Sequence, residues 1–409
     1  MAGVPEDHAV QEATKDDASG EVLLGADPLS EALRGELRTR VERLIREELI
    51  EALGAGRYER VPERRGYQHS PRERTITTGL GPTTITVPRG RLFKPEGGSE
   101  EWQSQLLPRY ARRTREVDAA LLGLYLSGTN TRRVKLALKP LLKGAPLSKS
   151  AVSRVVAGLK DQYETWRNRE LIGEALKVVY LDAIWLRVRL AKQIEKLPVA
   201  VAIGVREDGT KVLLGLWAYA SEGRAAWGGV LEDLTVRRLP IPALVVIDGG
   251  KGLRGAVSEC WPNVAVQRCT VHKLRNLEAH APKRLHEELR EDYHEIIYAE
   301  DERAARRGWL KFTTKWKKRC PAVVESLDEA GDELLTFYRF PESQWKGLRT
   351  TNIVERVNEE FRRRVKTQAV LPSEDSALLL LYGLAASGQL RFRKLDGYQE
   401  LDQVGRVAA

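Results

Sequence analysis

The chain has 409 residues, a length that corresponds to about two or three domains of ordinary size. Its 67 Lys and Arg against 57 Asp and Glu give a net charge of +10, which favours polyanionic partners, and 42% of residues are hydrophobic, enough for folded cores. The longest apolar run, residues 377–386, is too short to span a membrane, and no secretory signal is evident. Three cysteines (Cys260, Cys269 and Cys320) make no disulfide framework and fit a reducing cytosol. We therefore expect a cytoplasmic protein without a membrane partner.

The N-terminal third is uneven in charge. Residues 1–32 contain eight acidic residues and one lysine and lack periodicity, so we predict a disordered acidic tail. Apolar residues at helical spacing follow over residues 33–53. Residues 55–115 carry 13 basic and 6 acidic residues, with turn signals around one short alternating strand, Thr84–Val87. We interpret residues 33–114 as an N-terminal helix followed by a small, irregular basic module.

Residues 115–172 are predicted to be helical. The second of three predicted helices is short and covers residues 132–141. Ser148 can cap the third helix, because its hydroxyl can accept hydrogen bonds from the N–H groups of that helix's first turn. This order is the outline of a helix-turn-helix, with Lys149 and Arg154 on the helix that would enter a DNA major groove. A solvated helical hairpin with ordinary surface charges explains the pattern equally well.

From Leu176 the periodicity changes to that of strands. Strand-like runs are predicted at residues 176–190, 199–206, 212–219, 243–248 and 263–269, with helices before and after the fourth run. This order predicts one mixed sheet covered by helices, and hence the α/β class. A long charged helical segment follows to about residue 332, and further helices are predicted around Glu355 and residues 376–387.

Two aspartates stand out on the predicted sheet. Asp182 shares a strand face with Ile184 and Leu186, where an ionised carboxylate is costly unless it is paired, hydrogen-bonded or bound to metal. Asp248 ends an apolar run and precedes Gly249, at the place where open α/β sheets present ligand groups. Either residue alone could be an ordinary loop or capping aspartate, but two in one sheet indicate a site.

Glu355 is harder to assign from spacing. It lies off the apolar stripe of its helix, which favours a solvated glutamate. Its neighbours are the polar run 349–352 and the basic run 362–364, which would suit a carboxylate metal ligand beside a nucleic-acid backbone.

Four motifs in order carry a family resemblance. They are Leu181-Asp182-Ala183, Asp248-Gly249-Gly250-Lys251-Gly252-Leu253, Gln267-Arg268-Cys269-Thr270-Val271-His272-Lys273-Leu274-Arg275-Asn276 and Thr350-Thr351-Asn352-Ile353-Val354-Glu355. With the segment around Arg64-Arg65-Gly66-Tyr67, they resemble the Mutator-type transposases of bacterial insertion sequences, a DDE transposase family. The resemblance covers roughly residues 33–395.

The resemblance implies an RNase H-like catalytic core in two parts, residues 173–275 and 349–409, separated by a helical insertion at 276–348. Helical or helix-turn-helix DNA-binding modules, residues 33–114 and 115–172, would precede the core. By matching positions, Asp182, Asp248 and Glu355 would be the catalytic carboxylates and the ligands of two Mg²⁺ or Mn²⁺ ions. Such a carboxylate cluster suits hard cations and in-line displacement at phosphorus.

The resemblance also implies contacts with DNA. The candidate DNA-binding residues are Arg64, Arg65, Lys149, Arg154, Lys251, His272, Arg275, Arg349, Arg362 and Arg363, and the family motif contributes Cys269, His272, Thr350, Thr351 and Asn352. Cys269 and His272 could begin a zinc site, but zinc needs four ligands and only Cys260 and His280 are near in sequence. We favour a role in shaping the end of the fifth strand or in contacting DNA.

The function expected from the resemblance is DNA transposition. The protein would bind the terminal inverted repeats of its element and catalyse metal-dependent strand cleavage and strand transfer, as a nucleoid-associated homodimer acting on DNA. Two alternatives remain: a catalytically inactive, domesticated relative that only binds DNA, and an RNase H-like nuclease that acts on other nucleic acids.

Overall fold

The structure, a computed structural model, describes residues 27–129, 134, 137, 138, 149–190, 193–368, 370–390 and 392–403, without the side chains of residues 149–152, 190, 365–368, 402 and 403. The chain divides into two compact units, residues 1–157 and 158–409. Within the described ranges, no helix combines the length and the apolar character that crossing a membrane requires.

The first unit packs a long helix on a three-stranded antiparallel sheet. Helix α1 (Pro28–Leu53) begins after Asp27, whose carboxylate accepts from the Leu29 N–H, and ends at Gly54 in the left-handed conformation, φ 68°. The strands are β1 (Gly66–Thr78), β2 (Gly81–Phe93) and β3 (Ser99–Glu101). Ile45 of α1 packs between the sheet residues Ile76, Ile85 and Val87.

Two expectations for this unit are corrected. The predicted tail 1–32 overlaps α1, because Asp27 caps the helix and Pro28 suits its first turn; residues 1–26 lie outside the described residues. The predicted irregular module is a regular hairpin of two 13-residue strands, of which Thr84–Val87 is a small part. The first half of β1 is mostly exposed, so it lacks the alternation of apolar and polar residues that predicts a strand.

The helices of residues 115–172 are only partly described. Helix α2 (Arg115–Leu126) buries Val117 and Leu121 against Val134 and Leu138, and α3 (Lys149–Arg167) follows. The predicted cap Ser148 and most of the helix predicted over residues 132–141 lie outside the described residues. The helix-turn-helix therefore stays a prediction.

The second unit is built on a five-stranded mixed sheet. Its strands are β4 (Leu176–Leu190), β5 (Gln193–Arg206), β6 (Lys211–Ala218), β7 (Leu244–Ile247) and β8 (Ala265–Arg268). Their spatial order is β6-β5-β4-β7-β8; β4, β5 and β6 form an antiparallel meander, and β7 and β8 run parallel to β4. The predicted mixed α/β sheet is confirmed. Strand β5 begins before the predicted Val199. The prediction missed its first residues because they are exposed and lack an apolar pattern.

The second unit contains helices that pack on the sheet and helices that pack on one another. They are α4 (Arg224–Val236), α5 (Lys251–Cys260), α6 (Thr270–Ala279), α7 (His286–Ile297), α8 (Glu302–Arg319), α9 (Pro321–Ala330), α10 (Glu342–Leu348), α11 (Asn352–Gln368) and α12 (Glu374–Ala386). One face packs Val179 and Leu181 against Trp227 of α4 and Leu253 of α5. Helices α11 and α12 pack against β4 from the other face.

Between β8 and α11, the helices α6 to α9 enclose a core of their own. Leu277, Tyr293, Phe312, Trp316 and Leu327 are among its buried residues. This segment corresponds to the predicted charged helical region, whose charges lie on the outer faces of these amphipathic helices.

A buried ion-pair network ties this helical segment to β8. The Lys273 side chain, 2% exposed, donates to Glu329 Oε2 at 2.9 Å and to the Ser326 carbonyl at 2.8 Å. Arg268 Nη1 donates to Glu329 Oε1 at 2.8 Å. Burial alone would raise the pKa of Glu329, but the hydrogen bonds from Arg268 and Lys273 lower it to about 2.

We predict that Glu329→Gln lowers the free energy of unfolding by about 1–3 kcal/mol at pH 7, because two buried cations lose their counter-charge. Urea denaturation measures the change. Since the folded-state pKa of Glu329 is lowered, the stabilisation is complete above the unfolded pKa near 4.5 and disappears as the pH falls towards 2.

Glu325→Gln is the matched control, because Glu325 lies exposed on the same helix, α9. Equal stability of the two variants at pH 7 would contradict the network's role.

Candidate active site

Asp182 lies in the middle strand of the sheet, on the face towards α11. Its neighbours Val179 and Leu181 belong to the core beneath α4 and α5, so alternation along β4 turns Asp182 to the opposite face. The side chain is 6% exposed, and its Oδ1 accepts from the Ala183 N–H at 2.8 Å. A buried carboxylate with one backbone donor is under-solvated and needs a cationic partner.

Asp248 is brought beside Asp182 by the register of two parallel strands. Leu181 of β4 is paired with Ile247 of β7, and the two aspartates are the residues that follow them. The Asp248 Oδ1 accepts from the Gly250 N–H at 2.9 Å, which fixes the turn into α5. Asp182 in β4 and Asp248 at the end of β7 therefore lie next to each other on adjacent strands.

Glu355 reaches this region from the first turn of α11. Its Oε1 accepts from Arg275 Nη1 at 2.8 Å and lies 3.9 Å from His272 Nε2. The side chain is partly exposed, off the apolar stripe that holds Val354 and Val357 in the core. The predicted position off the stripe is correct, and its consequence is an open, ion-paired carboxylate rather than an unpaired solvated one.

The three carboxylates interact electrostatically. Burial and the negative charges of Asp248 and Glu355 together raise the pKa of Asp182 to about 7, against the opposing effects of His272 and of the hydrogen bond from the Ala183 N–H. The hydrogen bond with Cys269 and the negative charges of Asp182 and Asp248 raise the pKa of His272 to about 9, against the opposing effect of burial. At neutral pH the site thus holds an imidazolium among acidic groups.

The Cys-x-x-His element joins β8 to the start of α11. The buried Cys269 Sγ accepts from the Thr351 N–H at 3.3 Å, and the Thr270 N–H donates to the Arg349 carbonyl at 2.9 Å. The Thr351 hydroxyl lies 3.4 Å from His272 Nδ1. These contacts set where α11 begins and therefore where Glu355 points, while Thr350 and Thr351 are buried and Asn352 is exposed.

In the described ranges, no group of three or more His, Cys, Asp or Glu side chains is arranged to hold a metal ion. Zinc at Cys269 and His272 would need two further ligands, and none lie beside them among the described residues. For Asp182, Asp248 and Glu355 the donor set is right for a hard cation, but Glu355 is held by Arg275 instead.

The other predicted DNA-binding residues of the second unit differ in their surroundings. Lys251 is exposed at the first position of α5, and Arg275 is engaged with Glu355. Arg349 lies over the Tyr298 ring at 4.2 Å. Arg362 and Arg363 are exposed on α11, the latter 2.6 Å from Glu360.

In the first unit, two predicted DNA-binding arginines support loops. Arg64 Nε donates to the Gly66 carbonyl at 2.8 Å, and Arg65 Nη2 donates to the Glu51 carbonyl at 2.7 Å, in the last turn of α1. Lys149 is the first residue of α3, and Arg154 lies exposed on the same helix.

Two residues at the site escaped the sequence reasoning. Burial raises the pKa of Glu222, with Asp248 as the next cause, which adds a fourth carboxylate to the region; its place in a turn carried no signal. Arg268 Nη2 donates to the Gly249 carbonyl at 2.8 Å and braces the Asp248 turn. Gly249 has φ +91°, and a Cβ there would lie 2.4 Å from the Arg268 guanidinium, so glycine is required.

Comparison with known proteins places the chain in a family. The family described as "Transposase, Mutator family" matches residues 8–394. The transposase for insertion sequence element ISRM5 of Rhizobium meliloti (strain 1021) is 32% identical over 374 residues, covering 91% of this chain and 92% of the relative. The transposase for IS406 of Burkholderia multivorans is 34% identical over 368 residues, covering 88% and 90%. The transposase for IS256 in transposon Tn4001 of Staphylococcus aureus is 29% identical over 351 residues, covering 84% and 87%.

The fold and the site define a mixed α/β protein with an acidic site where β4 and β7 lie side by side. With a match across nearly its whole length, the chain belongs to the Mutator family of transposases. The resemblance carried by the four motifs is confirmed.

We predict that Asp182→Asn stabilises the protein in EDTA at pH 8 by roughly 3 kcal/mol, because the ionised carboxylate opposes folding when its pKa is raised. A raised folded-state pKa means that stability falls as the pH rises from about 4 to 7. The difference from wild type is therefore largest at pH 8 and shrinks towards pH 4.

Urea denaturation at pH 8 and at pH 4.5 measures this, with Asp161→Asn, an exposed carboxylate of α3, as control. A destabilised Asp182→Asn at pH 8 would contradict the raised pKa of Asp182.

Proposed function

We propose that this chain is a DDE transposase that binds the terminal inverted repeats of its insertion sequence and catalyses DNA strand cleavage and strand transfer. The observation that carries the proposal is the pairing of Leu181 with Ile247, which puts Asp182 and Asp248 side by side within the electrostatic reach of Glu355. The membership of the Mutator family supports the same reading.

The core is proposed to be RNase H-like. An antiparallel meander of three strands, followed by two parallel strands that extend the sheet from its first strand, supports this assignment. The helices between β8 and α11 would then be an insertion in the core, and α11 would return the third carboxylate to the sheet.

Asp182, Asp248 and Glu355 would hold two Mg²⁺ or Mn²⁺ ions, to which carboxylate oxygens are suited. When bound, such cations make an attacking oxygen more nucleophilic and stabilise the leaving oxygen at phosphorus. For Glu355 to take part, Arg275 must release it, and the guanidinium is then available to a DNA phosphate.

The chain's own groups would order the substrate around the carboxylates. The water or 3′-OH oxygen would form the new bond to phosphorus as the bond to the leaving oxygen breaks. The attacking oxygen would release its proton to solvent, and the leaving oxygen would keep the electron pair of the broken bond and take up a proton from solvent. His272, whose Nε2 lies 3.9 Å from Glu355 Oε1, would donate a hydrogen bond beside the phosphate. Cys269 and Thr351 hold the backbone that carries these groups and would act by positioning.

The partners follow from this chemistry. The proposed substrates are element-end and target DNA, and two element ends call for two active sites, hence a homodimer. Both remain part of the proposal.

We predict that the protein cleaves a labelled duplex carrying the element end at the element boundary in Mg²⁺ and not in EDTA. Asp248→Asn should lower the rate by roughly 10³-fold or more, since several kcal/mol of charge stabilisation are lost. Gel analysis of the cleaved strand measures both.

Asp161→Asn, an exposed carboxylate of the same unit, should cleave like wild type. Tight binding without cleavage by wild type, on a duplex with the true terminus and both ends supplied, would favour the inactive DNA-binding relative instead.

A further inference from the structure

The first unit contains a groove lined by arginines. It has a volume of about 500 Å³ and lies between β1, the segment 109–113 and α3. Its basic residues are Arg72, Arg74, Arg109, Arg112, Arg113 and Arg154, and Glu73 is the one carboxylate among the described residues that line it. We name these six arginines the arginine groove. Their density is far above that of the chain as a whole.

The floor of the groove is fixed by backbone pairing. The Thr77 N–H donates to the Arg112 carbonyl at 2.9 Å, and the Thr114 N–H donates to the Thr77 carbonyl at 3.0 Å. Arg74 Nη2 donates to the Ala111 carbonyl at 2.6 Å. The segment that carries Arg109 and Arg112 is therefore held rigidly along the free edge of β1.

Five of the six arginines of the groove divide into two sets. Arg74 supports the segment, and Arg113 is paired with Asp118 at 2.7 Å. Arg72, Arg109 and Arg112 are exposed, and across the described residues no carboxylate forms an ion pair with any of them. These three guanidiniums thus face solvent, and their donors are directed to no carboxylate in the part of the unit that the structure describes.

Crowding of like charge in this groove costs free energy. Burial lowers the pKa of Arg74, and the neighbouring positive charges of Arg72 and Arg112 lower it further. A bound polyanion would relieve this repulsion, and guanidiniums suit phosphates because they donate two parallel hydrogen bonds.

We propose that the arginine groove is a binding site for the phosphate backbone of duplex DNA, read through charge rather than through base sequence. This rests on the proposed function for the choice of DNA as the polyanion. Duplex is favoured over single-stranded DNA because single-strand sites stack bases on several aromatic rings, and Tyr110, 83% exposed, is the aromatic residue that lines the groove.

The assignment differs from the sequence-based one. Arg64 and Arg65 donate to backbone carbonyls of the α1 end and its loop. The exposed guanidiniums of the groove belong instead to Arg72, Arg109 and Arg112, later in the chain. Of the residues predicted from the resemblance, Arg154 is the one that lines the groove.

The test compares two triple variants of the full-length protein, in EDTA, on a 30-base-pair duplex of unrelated sequence, on one carrying the element end and on a single strand of the unrelated sequence. Arg72, Arg109 and Arg112 are changed to Gln in the groove variant. Arg40, Arg43 and Arg46, exposed on α1, are changed to Gln in the control, which has the same net charge. Fluorescence anisotropy is recorded from 50 to 300 mM salt, and thermal melting verifies that both variants fold.

The groove variant should bind both duplexes on the order of 100-fold more weakly at 0.1 M salt, with a salt dependence of log K shallower by about 2.7, since each lost phosphate contact removes about 0.9. The control variant should stay close to wild type. Equal affinities and slopes for the two variants would overturn the proposal, as would a loss confined to single-stranded DNA or to the element end.

The two proposals fail separately. A weakened groove variant alongside a wild type that never cleaves leaves the groove standing without the transposase chemistry. An unaffected groove variant alongside Asp248-dependent cleavage leaves the chemistry standing without the groove.

Discussion

The parallel pairing of β4 with β7 is the constraint on which the site depends. Because Leu181 lies opposite Ile247, Asp182 and Asp248 are fixed as neighbours by backbone hydrogen bonds and do not rely on loop conformation. The register also keeps Asp182 buried, so its negative charge must be balanced from outside the strand. A slip of one residue would turn Asp182 into the core beneath α4 and α5.

The remaining groups are held to this pair from the β8 side. Cys269 and Thr270 bind the backbone that precedes α11, and Arg268 binds the Gly249 carbonyl, so one short stretch positions both Glu355 and Asp248. Arg268 and Lys273 are in turn neutralised by Glu329 of the helical segment. This gives that segment a structural reason to be packed against the site, whatever else it contacts.

Much of this arrangement could be predicted from sequence, for reasons that differ by residue. Buried strands such as β4 and β7 have apolar patterns, so the sheet and its two aspartates followed from the sequence. Glu355 did not, since it lies off an apolar stripe, and only the family motifs identified it. The exposed half of β1 has no pattern. No spacing shows that Arg64 supports a loop while Arg72 faces solvent, because the carbonyls of Glu59 and Gly66 reach the Arg64 guanidinium only through the conformation of that loop.

Electron paramagnetic resonance of the free ion measures Mn²⁺ binding and so shows whether the three carboxylates share one site. The proteins to compare are wild type and the variants Asp182→Asn, Asp248→Asn and Glu355→Gln. The claim that the three carboxylates form one site predicts that wild type binds Mn²⁺ and that each single variant weakens binding at least about tenfold. Binding unchanged in all three variants, or lost in only one of them, would contradict a shared site.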